Sequence, residues 1–307
     1  MDMLNRARQA LGEIVQGRPE AIDLSLTCLL AHGHILIEDV PGVGKTTLAL
    51  ALARVFGLQF SRVQMTSDLL PSDLTGVSIF NPDSRQFEFR AGPLFQNVVM
   101  ADELNRTPPK TQSALLEAME ERRVSVDGVT RDLPPIFFVF ATQNPAEQAG
   151  TFELPESQMD RFLMRIHIGY PSPEVERDLL LYGERRSKAA AVQALCTPSE
   201  LAGLQARATQ VELHPDIASY MTNLVLATRQ RSDVRLGVSP RGLLALGAAA
   251  RAFALLQGDP AVTPEHVDAV AVPTLAHRLV LRSVGADRPA EQRAVIESVL
   301  ENTAIPV

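Results

Sequence analysis

The segment Pro41-Gly42-Val43-Gly44-Lys45-Thr46-Thr47 lies between an apolar run, His34-Ile35-Leu36-Ile37-Glu38, and a helix-forming run, Leu48-Ala49-Leu50-Ala51-Leu52-Ala53. A buried strand, a glycine-bearing loop and a helix start, in that order, form the setting of a phosphate-binding loop. The loop N–H groups and the helix N-terminus would face an anion, with the helix dipole favouring negative charge. Pro41, Gly42, Val43, Gly44, Lys45, Thr46 and Thr47 are therefore candidate phosphate contacts. Lys45 would reach the β- and γ-phosphates, and the Thr46 hydroxyl would hold Mg²⁺. The chain has only three lysines against 26 arginines, so a lysine at this position is not a random draw from a lysine-rich surface. The pattern GxxxxGK[ST] asks for glycine five residues before Gly44. Asp39 stands there instead, a residue that tolerates unusual backbone angles better than most.

Further short apolar runs follow at regular intervals, over Phe60–Gln64, Val98–Ala101, Ile136–Thr142 and Arg165–Ile168. Runs apolar on both faces suit central strands of a parallel sheet with helices on either side. With His34–Glu38 they predict a five-stranded parallel sheet in a three-layer αβα domain. Two hairpin-like insertions interrupt the scheme. Leu74–Phe80 and Gln86–Phe89 flank Asn81-Pro82-Asp83-Ser84, and Val124–Val126 and Val129–Leu133 flank Asp127-Gly128, a favoured two-residue turn. Neither hairpin is needed to build the sheet, and such extensions are common places for partner contacts.

Ahead of the sheet, residues 1–31 read as two helices joined around Gly17-Arg18-Pro19. After Tyr170-Pro171-Ser172-Pro173 the strand signals give way to an Ala/Leu/Arg-rich helical pattern. A hydroxyl residue followed by proline marks helix starts at Ser172, Thr197, Ser239 and Thr263, with Thr107-Pro108 upstream. Thr197 with Glu200 makes a capping box. The expected division is an α/β domain over residues 1–175 and a smaller helical domain over 176–307.

ATP on a phosphate-binding loop requires a carboxylate near Mg²⁺ and a group that orients the attacking water. Asn97-Val98-Val99-Met100-Ala101-Asp102-Glu103 is a buried strand ending in two carboxylates. Asp102 is the candidate metal partner of Thr46, and Glu103 the candidate water-polarising group. Ile136–Thr142 ends in Gln143-Asn144-Pro145, where Asn144 can hydrogen-bond the γ-phosphate or the water. Positive charge against the transition state often comes from an arginine of a neighbouring subunit. Arg161, Arg241 and Arg106 are candidates, and in so arginine-rich a chain the residues alone do not choose among them.

The net charge of −7 argues against a general nucleic-acid binder, as do hairpin tips where Asp83, Arg85, Asp127 and Arg131 balance in sign. Cys28 and Cys196 are far apart and unaccompanied, which fits a reducing compartment. The apolar run Leu24–Ala31 is too short to span a bilayer, and the first residues do not read as a signal peptide. The expected location is the cytoplasm, without membrane insertion.

Taken in order, Glu38–Thr47, Leu69–Gly76, Phe87–Arg90, Ala101–Arg106, Leu115–Glu121, Ala141–Pro145, Gln158–Phe162 and Ser239–Arg241 resemble the motifs of the MoxR-type AAA+ ATPases. Leu104 replaces a commoner isoleucine. The resemblance implies an AAA+ sheet in which Asn144's strand lies between those of the phosphate loop and the acidic pair, followed by an all-helical lid. It implies that Asn144 is sensor 1, Arg161 the arginine finger across a subunit interface, and Arg241 sensor 2, reporting nucleotide state to the lid. The hairpins become the helix-2 insertion and the pre-sensor-1 hairpin, and Val15 and Gly17 lie near adenine. ATP and Mg²⁺ are the implied cofactors. A hexameric homo-oligomeric ring remodelling protein clients is the implied machine. Its work would be complex maturation or metal insertion, often with a von Willebrand factor A domain partner. A nucleotide-dependent binding switch and a magnesium-chelatase-like ATPase subunit are the rivals. Glu103 speaks against the first, and the short lid and the residues around Asp102 against the second.

Overall fold

The computed structural model describes residues 2–144, 150–182, 189, 192–283, 285 and 287–306 of the chain. Two helices, α1 (Asp2–Ile14) and α2 (Pro19–Leu30), precede β1 (Ile35–Glu38) and α3 (Lys45–Val55). Then come β2 (Phe60–Gln64), the short α4 (Pro71–Thr75) and a hairpin of β3 (Gly76–Asn81) and β4 (Gln86–Ala91). β5 (Val98–Asp102) leads into α5 (Pro109–Glu121) and a second hairpin, β6 (Arg123–Val126) and β7 (Val129–Asp132). β8 (Phe138–Gln143), α6 (Glu156–Met159) and β9 (Met164–Ile166) complete the first domain.

The five sheet strands run parallel in the order β2-β5-β8-β1-β9. Ile35 pairs with Phe140 on one side and Met164 on the other, so the strand feeding the phosphate loop is interior. β8 lies between β1 and β5, the order that the resemblance implied. The carboxyl ends of β1, β8 and β5 therefore stand side by side, which is where open α/β sheets bind ligands. Every residue of β1 is buried, whereas β2 at the edge alternates towards solvent. The apolar runs of the sequence match the strands that are covered on both faces.

Three local expectations differ. Leu74 and Thr75 belong to α4 rather than to the first hairpin. Pro71 opens that turn, the Asp73 carboxylate accepts the Leu70 N–H at 2.8 Å, and Gly76 at φ 92° ends it. The last strand stops at Ile166, because the Ile168 N–H donates to the Asp39 carboxylate instead of to the sheet. Thr107-Pro108 does not start α5. Pro108 is itself the cap residue, and the buried Thr107 hydroxyl donates to the Thr66 carbonyl at 3.0 Å.

Beyond β9 lie α7 (Pro173–Tyr182), α8 (Pro198–Gln210), α9 (Pro215–Gln230), β10 (Val234–Leu236), α10 (Pro240–Gln257), α11 (Pro264–Leu275), β11 (Val280–Leu281) and α12 (Arg288–Asn302). The Thr197–Glu200 box is formed, with the Thr197 N–H donating to Glu200 at 2.7 Å, and Ser239 caps α10 through the Gly242 N–H. The helical lid also carries one antiparallel pair, β10 with β11, too short for alternation to announce. One apolar cluster runs from Leu4 and Leu11 of α1 through α2 and the sheet to Leu246, Val270 and Ile296 of the lid. A second, around Leu104, Leu115 and Val139, fills the other face of the sheet.

Candidate functional site

The carboxyl ends of the sheet open into a cavity of about 550 Å³. All seven residues from Pro41 to Thr47 line it, as do Asp102, Glu103 and Asn144. Gly42 and Gly44 have φ of 88° and 96°, the left-handed region that glycine enters without steric cost. A Cβ at either would meet nothing within 4 Å, so backbone conformation and not space is what requires glycine there. Ile14, Val15 and Gln16 at the end of α1, with Pro171 and Val175, make the more apolar end. Gly17 sits in the turn between Gln16 and Arg18 and is not itself in the lining.

At the polar end Lys45 Nζ donates to the Asp39 carbonyl at 2.7 Å. Burial pushes its ammonium below the usual lysine range, and Asp39, Asp102 and Glu103 oppose that fall. Asp102 Oδ2 accepts from Arg62 at 2.5 Å, and Oδ1 from the Thr142 hydroxyl at 2.6 Å. Glu103 follows at φ 60°, a strained setting for a non-glycine residue. Its N–H donates to Thr142 Oγ1 at 2.9 Å, so one hydroxyl on β8 ties both acidic residues. The Glu103 carboxylate accepts from Gln64 Nε2 at 2.7 Å and Arg106 at 2.9 Å. Sequence reasoning passed over Thr142, Arg62 and Gln64. A signal existed: Thr142 stands two residues before Asn144, and Arg62 and Gln64 share a face of another strand.

Thr46 and Asp102 both line the cavity. Among the described residues there is no group of three or more His, Cys, Asp or Glu that could hold a metal ion. Magnesium on a nucleotide needs no such cage, because phosphate and water supply most of its oxygens. One hydroxyl and one carboxylate fit that demand. Pro145, expected to follow Asn144 in a turn, lies outside the described residues.

Of the three candidate arginines, only Arg106 reaches this site, through Glu103; Arg161 and Arg241 do not line the cavity. Arg161 Nε lies 3.1 Å from Glu120 Oε2, and Arg241 Nη2 2.6 Å from Glu120 Oε1. One carboxylate on α5 thus holds an arginine from each domain. Arg278 grips the residues flanking Arg161: it pairs with the Asp160 carboxylate, donates to the Asp160 carbonyl at 2.9 Å and to the Phe162 carbonyl at 2.7 Å. His277 approaches the same Phe162 carbonyl at 3.0 Å.

Residues 34–164 match the ATPase family associated with various cellular activities (AAA), and residues 226–299 match the AAA lid domain. Chaperone MoxR1 of Mycobacterium tuberculosis is 41% identical over 312 residues, covering 99% of this chain and 82% of its own. Protein MoxR of Paracoccus denitrificans is 34% identical over 326 residues, covering 98% of this chain and 95% of its own. The chain belongs to the MoxR-type AAA+ ATPases. Uncharacterized protein YeaC of Bacillus subtilis is 45% identical over 305 residues, covering 99% of this chain and 95% of its own. A crystal structure of a candidate ATPase from Cytophaga hutchinsonii superposes with a TM-score of 0.90 at 35% identity, covering 100% of this chain and 96% of that one. The AAA+ sheet and the lid are therefore the family's architecture, carried here over essentially the whole chain. Among the described residues no helix is long and apolar enough to cross a membrane.

Proposed function

We propose that this chain binds MgATP in the cavity at the end of β1 and hydrolyses it to remodel protein clients. One observation carries the reading: Lys45, Thr46, Asp102, Glu103 and Asn144 converge on a single cavity from three adjacent strand ends. Lys45 and the loop N–H groups bind the phosphates, and Ile14, Val15, Pro171 and Val175 take the base. Thr46 and Asp102 would hold Mg²⁺, which supplies positive charge to the phosphate oxygens. Glu103 polarises the attacking water, and Asn144 orients it against the γ-phosphate.

Arg161 and Arg241 serve the neighbouring subunit of a ring, hexameric by family habit. Arg241 was expected to act as sensor 2, reporting nucleotide state to the lid. Its pairing with Glu120 beside Arg161 supports delivery of both arginines as one unit. Protein clients, a von Willebrand factor A domain partner and a cytoplasmic setting complete the proposal, with residues 1–175 as the nucleotide-binding domain and the remainder as lid. Gln64 and Arg106 occupy the Glu103 carboxylate, which favours a low basal rate and supports the switch-like reading as the alternative.

The test is Glu103→Gln. The variant should bind ATP as the wild type does and turn over none of it, and normal turnover would sink the assignment. Mixed with Arg161→Ala subunits, it should regain part of the lost activity, because each intact site then borrows an arginine from its neighbour. No recovery at any mixing ratio would refute action across the interface.

A further inference from the structure

The Asp39 carboxylate makes no hydrogen bond to Lys45, Thr46, Asp102 or Glu103, although its charge, with those of Asp102 and Glu103, helps to keep the Lys45 ammonium charged. It stands where phosphate-binding loops commonly carry glycine, and it is 9% exposed. Asp39 is not among the positive-φ residues, so glycine's conformational freedom is not needed here and a side chain can be used. Oδ2 accepts the N–H groups of Ile168 and Gly169, both at 2.6 Å, and Oδ1 accepts the Val40 N–H at 3.0 Å. Charge-assisted bonds of this kind are about twice as strong as neutral ones. The Ile168 N–H is buried with its acceptor and has no water to turn to.

The grip falls at a particular place. Gly169, at φ 72°, is where the chain turns after leaving the sheet, and its carbonyl accepts from Arg18 at 2.5 Å. Two residues further, Pro171 begins the wall that Val175 continues along the apolar end of the cavity. The main-chain carbonyl of Asp39 meanwhile takes the Lys45 ammonium at 2.7 Å. One residue is thus joined to the phosphate lysine through its backbone and to the opposite wall through its side chain. Of these two hydrogen-bonded links, only the second depends on its being aspartate.

We infer that Asp39 is a positioning residue: its carboxylate fixes the Pro171–Val175 wall against the phosphate loop, and so sets affinity for the nucleoside part of ATP rather than for its phosphate chain. The inference rests on the nucleotide reading of the cavity. Glycine at position 39 would keep the main-chain carbonyl that holds Lys45, lose the Oδ1 bond to the Val40 N–H and free the wall.

The experiment compares wild type, Asp39→Gly and Asp39→Asn in titrations with a fluorescent ATP analogue and with inorganic tripolyphosphate in competition. Circular dichroism melting is followed alongside. Asp39→Gly should weaken the analogue about tenfold, as expected when hydrogen bonds to a charged group are lost, while tripolyphosphate stays within about twofold. Asp39→Asn, which keeps one oxygen acceptor, should fall between, and it carries the comparison if the glycine variant does not fold. Equal weakening for both ligands, or none for either, overturns the inference and leaves the nucleotide reading standing. A wild-type protein that binds neither ligand overturns the nucleotide reading, and the inference with it.

Discussion

Replacing Thr142 by valine removes one hydroxyl and little else. The residue is 1% exposed on β8, and valine keeps its shape and β-branching. What disappears is the donor to Asp102 Oδ1 at 2.6 Å and the acceptor for the Glu103 N–H at 2.9 Å. A hydrogen bond to a charged group contributes about 1.5–3 kcal/mol, and a neutral one about 1 kcal/mol. Asp102 keeps Arg62, and its side chain is 13% exposed, so part of that is recovered, leaving a net cost of about 2 kcal/mol. The larger effect falls on rate. Glu103 occupies a backbone conformation that its surroundings must hold, and Thr142 is one of the groups that hold it. A displacement on the order of 1 Å can cost about 100-fold in turnover. Steady-state ATPase assays should show Thr142→Val slowed about 10- to 100-fold, with nucleotide affinity little changed. Thr142→Ser, which keeps the hydroxyl, should stay within about threefold of wild type. A valine variant as fast as wild type, or a serine variant as slow as valine, would refute the reasoning.

Two other outcomes follow from contacts already described. Gln64→Leu removes the 2.7 Å donor to Glu103 and should raise basal ATPase activity about two- to fivefold, since the carboxylate is then held by Arg106 alone of the two; an unchanged or lower rate counts against Gln64 as a restraint. His34 is buried, with Nδ1 accepting the Val139 N–H at 3.1 Å and Nε2 facing the Met119 carbonyl at 3.2 Å. Burial pushes its pKa down to about 3. The unfolded chain takes up the proton near pH 6.5 and the folded chain does not, so stability falls as pH drops below that value, by about 1.4 kcal/mol per unit. His34 should therefore make the protein about 2 kcal/mol less stable at pH 5 than at pH 7 in urea unfolding, with buried His277, whose pKa burial also pushes down, adding to the loss; equal stability at the two would refute the assignment.

The sheet was legible because four of its strands carry apolar runs covered on both faces, while β2 at the edge is partly open to solvent. The phosphate loop was legible because glycine, lysine and threonine must stand together in the chain to do their work. What escaped was set by long-range partners. Thr142 reads as an ordinary strand threonine until β8 is laid beside β5. Leu74 and Thr75 read as strand because the turn ahead of them depends on Asp73 reaching back to Leu70. Ile168 continues an apolar run, yet its N–H leaves the sheet for Asp39, 129 positions away in the chain. Arg241 shows the limit of motif spacing most clearly. The motif gives the residue, but only the packing of α10 near α5 reveals that its partner is Glu120.

That partnership has a further consequence. Glu120, Arg161 and Arg241 are all partly open to solvent, with side chains 35%, 27% and 50% exposed. Ion pairs so exposed are worth about 1 kcal/mol or less each, so another anion can displace the carboxylate cheaply. The two guanidiniums belong to different domains, and Arg278 of the lid fixes the loop that carries Arg161. An incoming anion therefore meets two positive charges only while lid and sheet domain keep their present spacing, and one if they part. The full positive charge at Glu120 is thus a property of the two domains together and of neither alone.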